Sequence, residues 1–140
     1  MANFEVTCYE CKNTVTANVA DSTYSNSYRW YLSYNCEICD TTVEFDEIGK
    51  LPGEIKNAIV GQEGLWGMIL TDVKKLNKVV FLLRNDPIFI SDTAESELNN
   101  SVMTKILFKG TRNEVMWLTA KLLKKGIEGV EIKKFGKGVP

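Results

Sequence analysis

Cys8-Tyr9-Glu10-Cys11 and Cys36-Glu37-Ile38-Cys39 decide how this chain is read. They are two Cys-x-x-Cys pairs separated by residues 12–35, and the 140-residue chain has no cysteine besides these 4. Two residues between ligands let each pair close into a tight turn with both thiolates aimed at one tetrahedral ion. Two such turns side by side complete a closed structural zinc site, with Cys8, Cys11, Cys36 and Cys39 as ligands. Two disulfides would instead suit an oxidising compartment, but Met1-Ala2-Asn3-Phe4-Glu5 lacks a basic segment followed by an apolar one, so secretion is not expected. A redox Cys-x-x-Cys usually occurs singly at a helix start, whereas both pairs here lie beside strand-like sequence. Four thiolates leave no open position for a catalytic water.

Outward from the cysteines, apolar and polar residues alternate. Val15, Ala17 and Val19 are interleaved with Thr14, Thr16 and Asn18; Tyr28, Trp30, Leu32 and Tyr34 with Arg29, Tyr31 and Ser33; Val43 and Phe45 with Thr42, Glu44 and Asp46. A period of two predicts three short strands, with the polar cluster 21–27 as a loop. Three strands meeting at two cysteine turns resemble a zinc ribbon, a likeness that covers about residues 4–48. The row Tyr28, Trp30 and Tyr34 reads as the buried face of that small sheet. Tyr9, Tyr24 and Tyr31 read as exposed aromatics of the kind favoured in protein interfaces, and Tyr9, Glu10, Tyr31 and Glu37 are the candidate partner-binding residues of the ribbon.

Charge divides the chain at about the same place. Residues 1–64 carry 4 Lys/Arg against 10 Asp/Glu, and residues 65–140 carry 13 against 8, although the whole has a net charge of only −1. This predicts three parts: an acidic zinc ribbon at 1–48, a linker helix within 49–64, and a basic unit at 65–140. Lys50-Leu51-Pro52-Gly53-Glu54 reads as the start of the linker helix, Ile55, Ala58 and Ile59 as one apolar face, and Gly61 and Gly64 as its end. A tetrathiolate zinc centre adds negative charge to an acidic half, so phosphate contact is not expected at the ribbon.

In the basic unit, Trp66, Met68 and Leu70 alternate as a strand, and Thr71-Asp72 cap a helix from near Val73 to Arg84 with Leu76, Val79, Val80 and Leu83 inward. Pro87 lies beyond its end. A second helix is expected from Ser91-Asp92-Thr93 to about Val102, with Glu95 completing a capping box. Lys105-Ile106-Leu107-Phe108-Lys109 reads as a strand. Thr111 and Glu114 form a further capping box for a helix with Val115, Leu118, Thr119, Leu122 and Leu123 on one face, stopped by Gly126, and Val130–Phe135 is the last strand. The fold class expected is α+β, a three-stranded zinc ribbon followed by a β-α-α-β-α-β sandwich.

That order, with Leu107-Phe108-Lys109-Gly110-Thr111 before the helix and Lys124-Lys125-Gly126-Ile127-Glu128-Gly129-Val130-Glu131-Ile132 after it, resembles the C-terminal domain of the bacterial ribosomal stalk protein. It is also similar to the adaptor that delivers N-degron substrates to the bacterial Clp protease. Asn77-Lys78-Val79 and Arg84 resemble the stalk protein's factor-binding helix, so the resemblance implies partner-binding roles for Lys78 and Arg84. The glycine-rich turn that follows that helix in the stalk protein is replaced here by Asp86-Pro87-Ile88-Phe89-Ile90. The resemblance therefore speaks for fold more than for translation-factor binding. Both families use this fold to bind proteins.

The chain contains 0 histidines, which removes the commonest general base and every Ser-His or Cys-His nucleophile pair. Glu44, Asp46, Glu47 and Asp72 are the only carboxylate candidates for acid-base work, and they read as solvated strand ends and a helix cap. The expectation is a cytoplasmic, non-catalytic, zinc-containing protein-binding module without a small-molecule substrate or a membrane span. An adaptor, or an immunity protein that neutralises a basic nucleic-acid-binding toxin, fits the acidic ribbon. The alternative is a nucleic-acid- or ribosome-associated factor using the lysines of residues 105–140, where 9 Lys/Arg face 3 Asp/Glu. No aromatic row accompanies those lysines in the sequence.

Overall fold

Residues 2–23, 27–90 and 105–136 are described in the computed structural model of the chain. Strands β1 (Ala2–Thr7), β2 (Thr14–Ser22), β3 (Arg29–Asn35) and β4 (Thr42–Ile48) form one antiparallel sheet in the order β1-β2-β3-β4. The three strands expected for the ribbon are corrected to four. Ala2, Phe4 and Val6 alternate with Asn3, Glu5 and Thr7, and β1 pairs with β2 from Ala2 opposite Val19 to Thr7 opposite Thr14. In an up-and-down sheet the first and third turns, residues 8–13 and 36–41, fall at the same end. That topology carries the two cysteine pairs to one place.

Helix α1 (Gly53–Glu63) follows Pro52 and stops at Gly64, whose φ of 102° suits glycine; Gly61, expected to help end the helix, lies inside it. The second sheet contains β5 (Leu65–Leu70), β6 (Lys105–Gly110) and β7 (Val130–Gly136), antiparallel in the order β6-β5-β7. Between β5 and β6 come a 3-10 turn at Val73–Lys75, α2 (Leu76–Leu83) and the four-residue α3 (Pro87–Ile90). Asp72 caps the turn as expected, its carboxylate accepting from the Lys74 amide at 3.0 Å. Pro87 opens α3 instead of merely following α2, with the Asp86 carboxylate accepting from the Ile88 amide at 2.9 Å. The helix expected over 91–102 lies outside the described residues.

Helix α4 (Arg112–Lys124) begins with the expected capping box: the Thr111 hydroxyl accepts from the Glu114 amide at 3.0 Å and the Glu114 carboxylate from the Thr111 amide at 2.9 Å. Val115, Leu118 and Leu122 are buried, but Leu123 is 62% exposed, and on α2 Val80 is exposed while Val79 and Leu83 are buried. The two helices therefore turn narrower apolar faces inward than expected. Both misplaced residues directly follow a buried one, which puts them about 100° further round the helix.

One buried cluster takes Ala2, Val19 and Tyr28 from the first sheet region, Ile55 and Ile59 from α1, Met68, Leu70 and Phe108 from the second sheet, and Val115, Leu118 and Leu122 from α4. The main core thus crosses both expected boundaries, at 48/49 and at 64/65. A smaller cluster of Cys8, Ala17, Tyr34 and Cys36 sits at the cysteine end, and Phe4 and Leu32 pack against both clusters. No helix among the described residues is long and apolar enough to cross a membrane.

A polar knot joins the halves beside the main core. Asp21 accepts hydrogen bonds from the Tyr28 hydroxyl at 2.8 Å, the Thr111 hydroxyl at 2.5 Å and the Asn113 amide group at 2.9 Å. Burial, then the charges of Asp21 and Glu114, hold the Tyr28 phenol protonated well above its ordinary range, which keeps it a donor. Glu114 is itself buried, and its pKa is raised by that burial against the opposing pull of Lys56, whose ammonium lies 3.6 Å away. A carboxyl raised on folding binds its proton more tightly in the native state. Its contribution to stability is therefore full below the ordinary value of 4.5 and is lost as pH rises through the raised native value. Glu114→Gln keeps the acceptor for the Thr111 amide and removes the titration. Urea midpoints measured across a pH series should show the parent losing stability relative to this variant as pH rises above 4.5, whereas parallel curves would contradict the assignment.

Candidate metal centre

The two cysteine turns have the same build. The Cys8 amide donates to the Asn13 carbonyl at 2.8 Å and the Cys36 amide to the Thr41 carbonyl at 2.8 Å, closing each loop at its base. In each turn the residue after the second cysteine has left-handed backbone, Lys12 with φ 64° and Asp40 with φ 60°. This reverses the chain just past the second thiol. For a lysine, a left-handed conformation costs on the order of 1–2 kcal/mol, so the surrounding turn must hold it there.

The four sulfurs converge. Cys8 Sγ lies 3.6 Å from Cys39 Sγ and Cys11 Sγ lies 3.5 Å from Cys36 Sγ, and all four ligand atoms are within 4.8 Å of one another. A regular tetrahedron of sulfurs about 2.3 Å from a central ion has edges of about 3.8 Å, so the set fits one four-coordinate metal ion. A disulfide needs sulfurs about 2.05 Å apart, and all 4 cysteines are free thiols. Cys8 and Cys36 are buried, Cys11 is half-buried and Cys39 is exposed, so the site sits at the edge of the sheet with one flank toward solvent.

Polar groups around the sulfurs favour thiolates. The Cys11 thiol is lowered to about 6, chiefly by the Asn13 backbone amide, with the Asn13 side chain donating at 3.3 Å. Cys8 is also lowered, first by the Cys11 amide. Cys36 moves the other way, to about 11: the Cys39 amide favours its thiolate, but burial and the neighbouring sulfurs outweigh that pull. Several thiolates crowded in one place repel each other, and a cation among them removes the conflict. Thr41 Oγ1 is 3.0 Å from Cys39 Sγ, and the Tyr9 amide donates to the Tyr34 hydroxyl at 3.2 Å, tying the first turn to β3. Soft donors of this kind select zinc, copper(I) or iron–sulfur chemistry over magnesium or calcium.

The expected partner-binding residues do not form one patch. Tyr9 (61% exposed), Glu10 and Glu37 lie on the cysteine turns beside the metal centre. Tyr31 is half-buried in β3 opposite Ala20 and Asp46, and Tyr24 falls outside the described residues. Lys78 and Arg84 are exposed on and after α2, which packs against α4 in the other half, and the Arg84 guanidinium lies 4.0 Å from the Phe81 ring centroid. Tyr28 and Tyr34 are buried, as expected for the inner face, and Trp30 is half-buried. Asp46 carries an exposed ion pair with Arg29 at 3.3 Å.

One feature of this end was not legible in the sequence. By register and alternation, Val6, Leu32, Tyr34, Val43 and Phe45 share a sheet face with Ala2 and Val19. Helix α1 packs on β1 and β2 and covers that face at one end only. Toward the cysteines the face stays open as a groove of about 610 Å³ between Tyr9 and Phe45, with Glu44 on its rim. Alternation shows which residues share a face, but the length of sheet that a helix will cover is a tertiary matter. Comparison of the chain with protein-family models, with curated proteins and with solved structures finds no match in any of the three.

Proposed function

We propose that this chain is a non-catalytic protein-binding module whose ribbon is held by one structural zinc ion. Zinc is the simplest occupant of four convergent thiolates, since it needs neither a redox partner nor bridging sulfide. With four protein ligands the ion folds and stiffens the ribbon and leaves no position for substrate. The binding surface is the open groove between Tyr9 and Phe45, and that groove is the observation that carries the reading. Phe45, 53% exposed, and Ile38, on the second cysteine turn, are large apolar side chains left in solvent near a metal-stiffened edge. Glu44 lines the groove, Glu47 lies on the same strand, and Glu10 and Glu37 lie on the cysteine turns; this acidic half suits a basic partner and fast association with it. An adaptor or an inhibitor of a basic, nucleic-acid-binding protein has these properties.

The test compares the tagged parent with Phe45→Glu in capture from the native cell extract at moderate salt, with nuclease added. Phe45 is exposed, so the variant should keep the parent's melting temperature. A stoichiometric basic protein retained by the parent and lost by Phe45→Glu is the expected result. Identical capture by both proteins, or capture that nuclease abolishes, would overturn the reading.

A further inference from the structure

The lysines of the second sheet have aromatic company that the linear sequence conceals. Gly67 in β5 lies opposite Lys109 of β6 on one side and Lys133 of β7 on the other, so the row Lys109-Gly67-Lys133 crosses all three strands. The Phe135 ring is laid over that glycine: a Cβ at Gly67 would come within 1.9 Å of the ring, so a larger residue there would displace the ring from this position. Lys109 Nζ is 5.3 Å and Lys133 Nζ 5.9 Å from the ring centroid. On the opposite face of the sheet, half-buried Trp66 has the Arg112 guanidinium 5.6 Å and Lys134 Nζ 5.9 Å from its ring centroid, separate from the Phe135 row. On the face of Gly67 the three strands carry Lys109 and Lys133 with one acidic residue, Glu131, which stands opposite Ile69 two positions along β5; Lys134 and the buried Lys105 fall on the other face with Trp66, Met68 and Leu70.

We infer that the Gly67 row of this sheet, with Phe135 at its centre and Lys109 and Lys133 on either side, binds single-stranded nucleic acid. Phe135 is 37% exposed and supplies a π-face on which one base stacks. The lysine backbones stand roughly 10 Å apart across three strands, so their ammonium groups reach phosphates on both sides of that base. A duplex keeps its bases stacked on each other and offers none to the ring, which makes the strand single. The site lies in the half away from the ribbon groove and does not depend on the protein-binding reading.

The test is fluorescence anisotropy of a short labelled oligouridine titrated with the full chain, at several salt concentrations, beside heparin as a polyanion without bases. Phe135→Leu keeps an apolar cover over Gly67 but removes the stacking face; Phe135→Trp restores one. Binding that weakens about 5- to 150-fold in Phe135→Leu and returns in Phe135→Trp is expected. Lys133→Gln should lower the slope of log affinity against log salt by about 0.7. Absence of oligouridine binding at low salt, or binding that Phe135→Leu leaves unchanged, would overturn the inference. So would heparin binding that falls in Phe135→Leu as steeply as oligouridine binding does.

Discussion

Cys36→Ala is expected to abolish stoichiometric metal binding and to melt the ribbon. Cys36 is 1% exposed, belongs to the smaller buried cluster with Cys8, Ala17 and Tyr34, and lies opposite Cys11 in the sulfur tetrahedron. Its loss leaves three thiolates that no longer close the shell and a void in the smallest core of the molecule. Structural zinc sites carry an apparent binding free energy of about 10–16 kcal/mol, comparable with the whole stability of a small domain at about 5–15 kcal/mol. No other single change is expected to cost as much. A strong chelator should act on the parent as Cys36→Ala does, and melting curves with and without chelator, together with metal content by mass spectrometry, provide the check. A variant that keeps its metal and melts with the parent would contradict the assignment.

Tyr28→Ala should cost about 3–5 kcal/mol, a fall in Tm of roughly 10–17 °C for a chain of this size. Tyr28 is the bulkiest fully buried side chain among the described residues, and it directly precedes β3 while most of the surrounding cluster comes from residues 51–127. Its hydroxyl donates to Asp21, which is bonded in turn to Thr111 and Asn113 at the start of α4. Removing the ring therefore empties a seam between the halves, and unfolding should shift as one transition. Tyr28→Phe keeps the ring and forfeits one hydrogen bond to a charged acceptor, for about 1.5–3 kcal/mol. Far-ultraviolet circular dichroism and tryptophan fluorescence should give coincident curves for all three proteins. Two separated transitions, with only the earlier one displaced by Tyr28→Ala, would mean that the halves fold independently.

The parts of this molecule that were legible in sequence are the ones set by local chemistry. Paired cysteines two residues apart, the Thr111–Glu114 capping box and the Asp72 cap each need a few neighbouring residues, and each stands as expected. Strand β1 and helix α3 were missed although each carries a local signal, the alternation of Ala2, Phe4 and Val6 with polar residues and the cap-then-proline pair Asp86-Pro87. Burial was harder to read. Leu123 and Val80 border the correct helix faces, and only the neighbouring elements decide that they stay in water. Hardest were the features made by distant segments. Phe135 meets Gly67, and Asp21 meets Thr111 and Asn113, only because strand pairing and a shared core bring together residues some 70 to 90 positions apart. The groove between Tyr9 and Phe45 belongs to the same class.

The most direct measurement is X-ray absorption spectroscopy at the zinc edge on the purified chain, with native mass spectrometry for stoichiometry. One zinc per chain surrounded by four sulfurs at about 2.3 Å is the expected result. A metal-free chain with its cysteines in disulfides, or a zinc shell that mixes sulfur with oxygen, would contradict a closed structural site at Cys8, Cys11, Cys36 and Cys39.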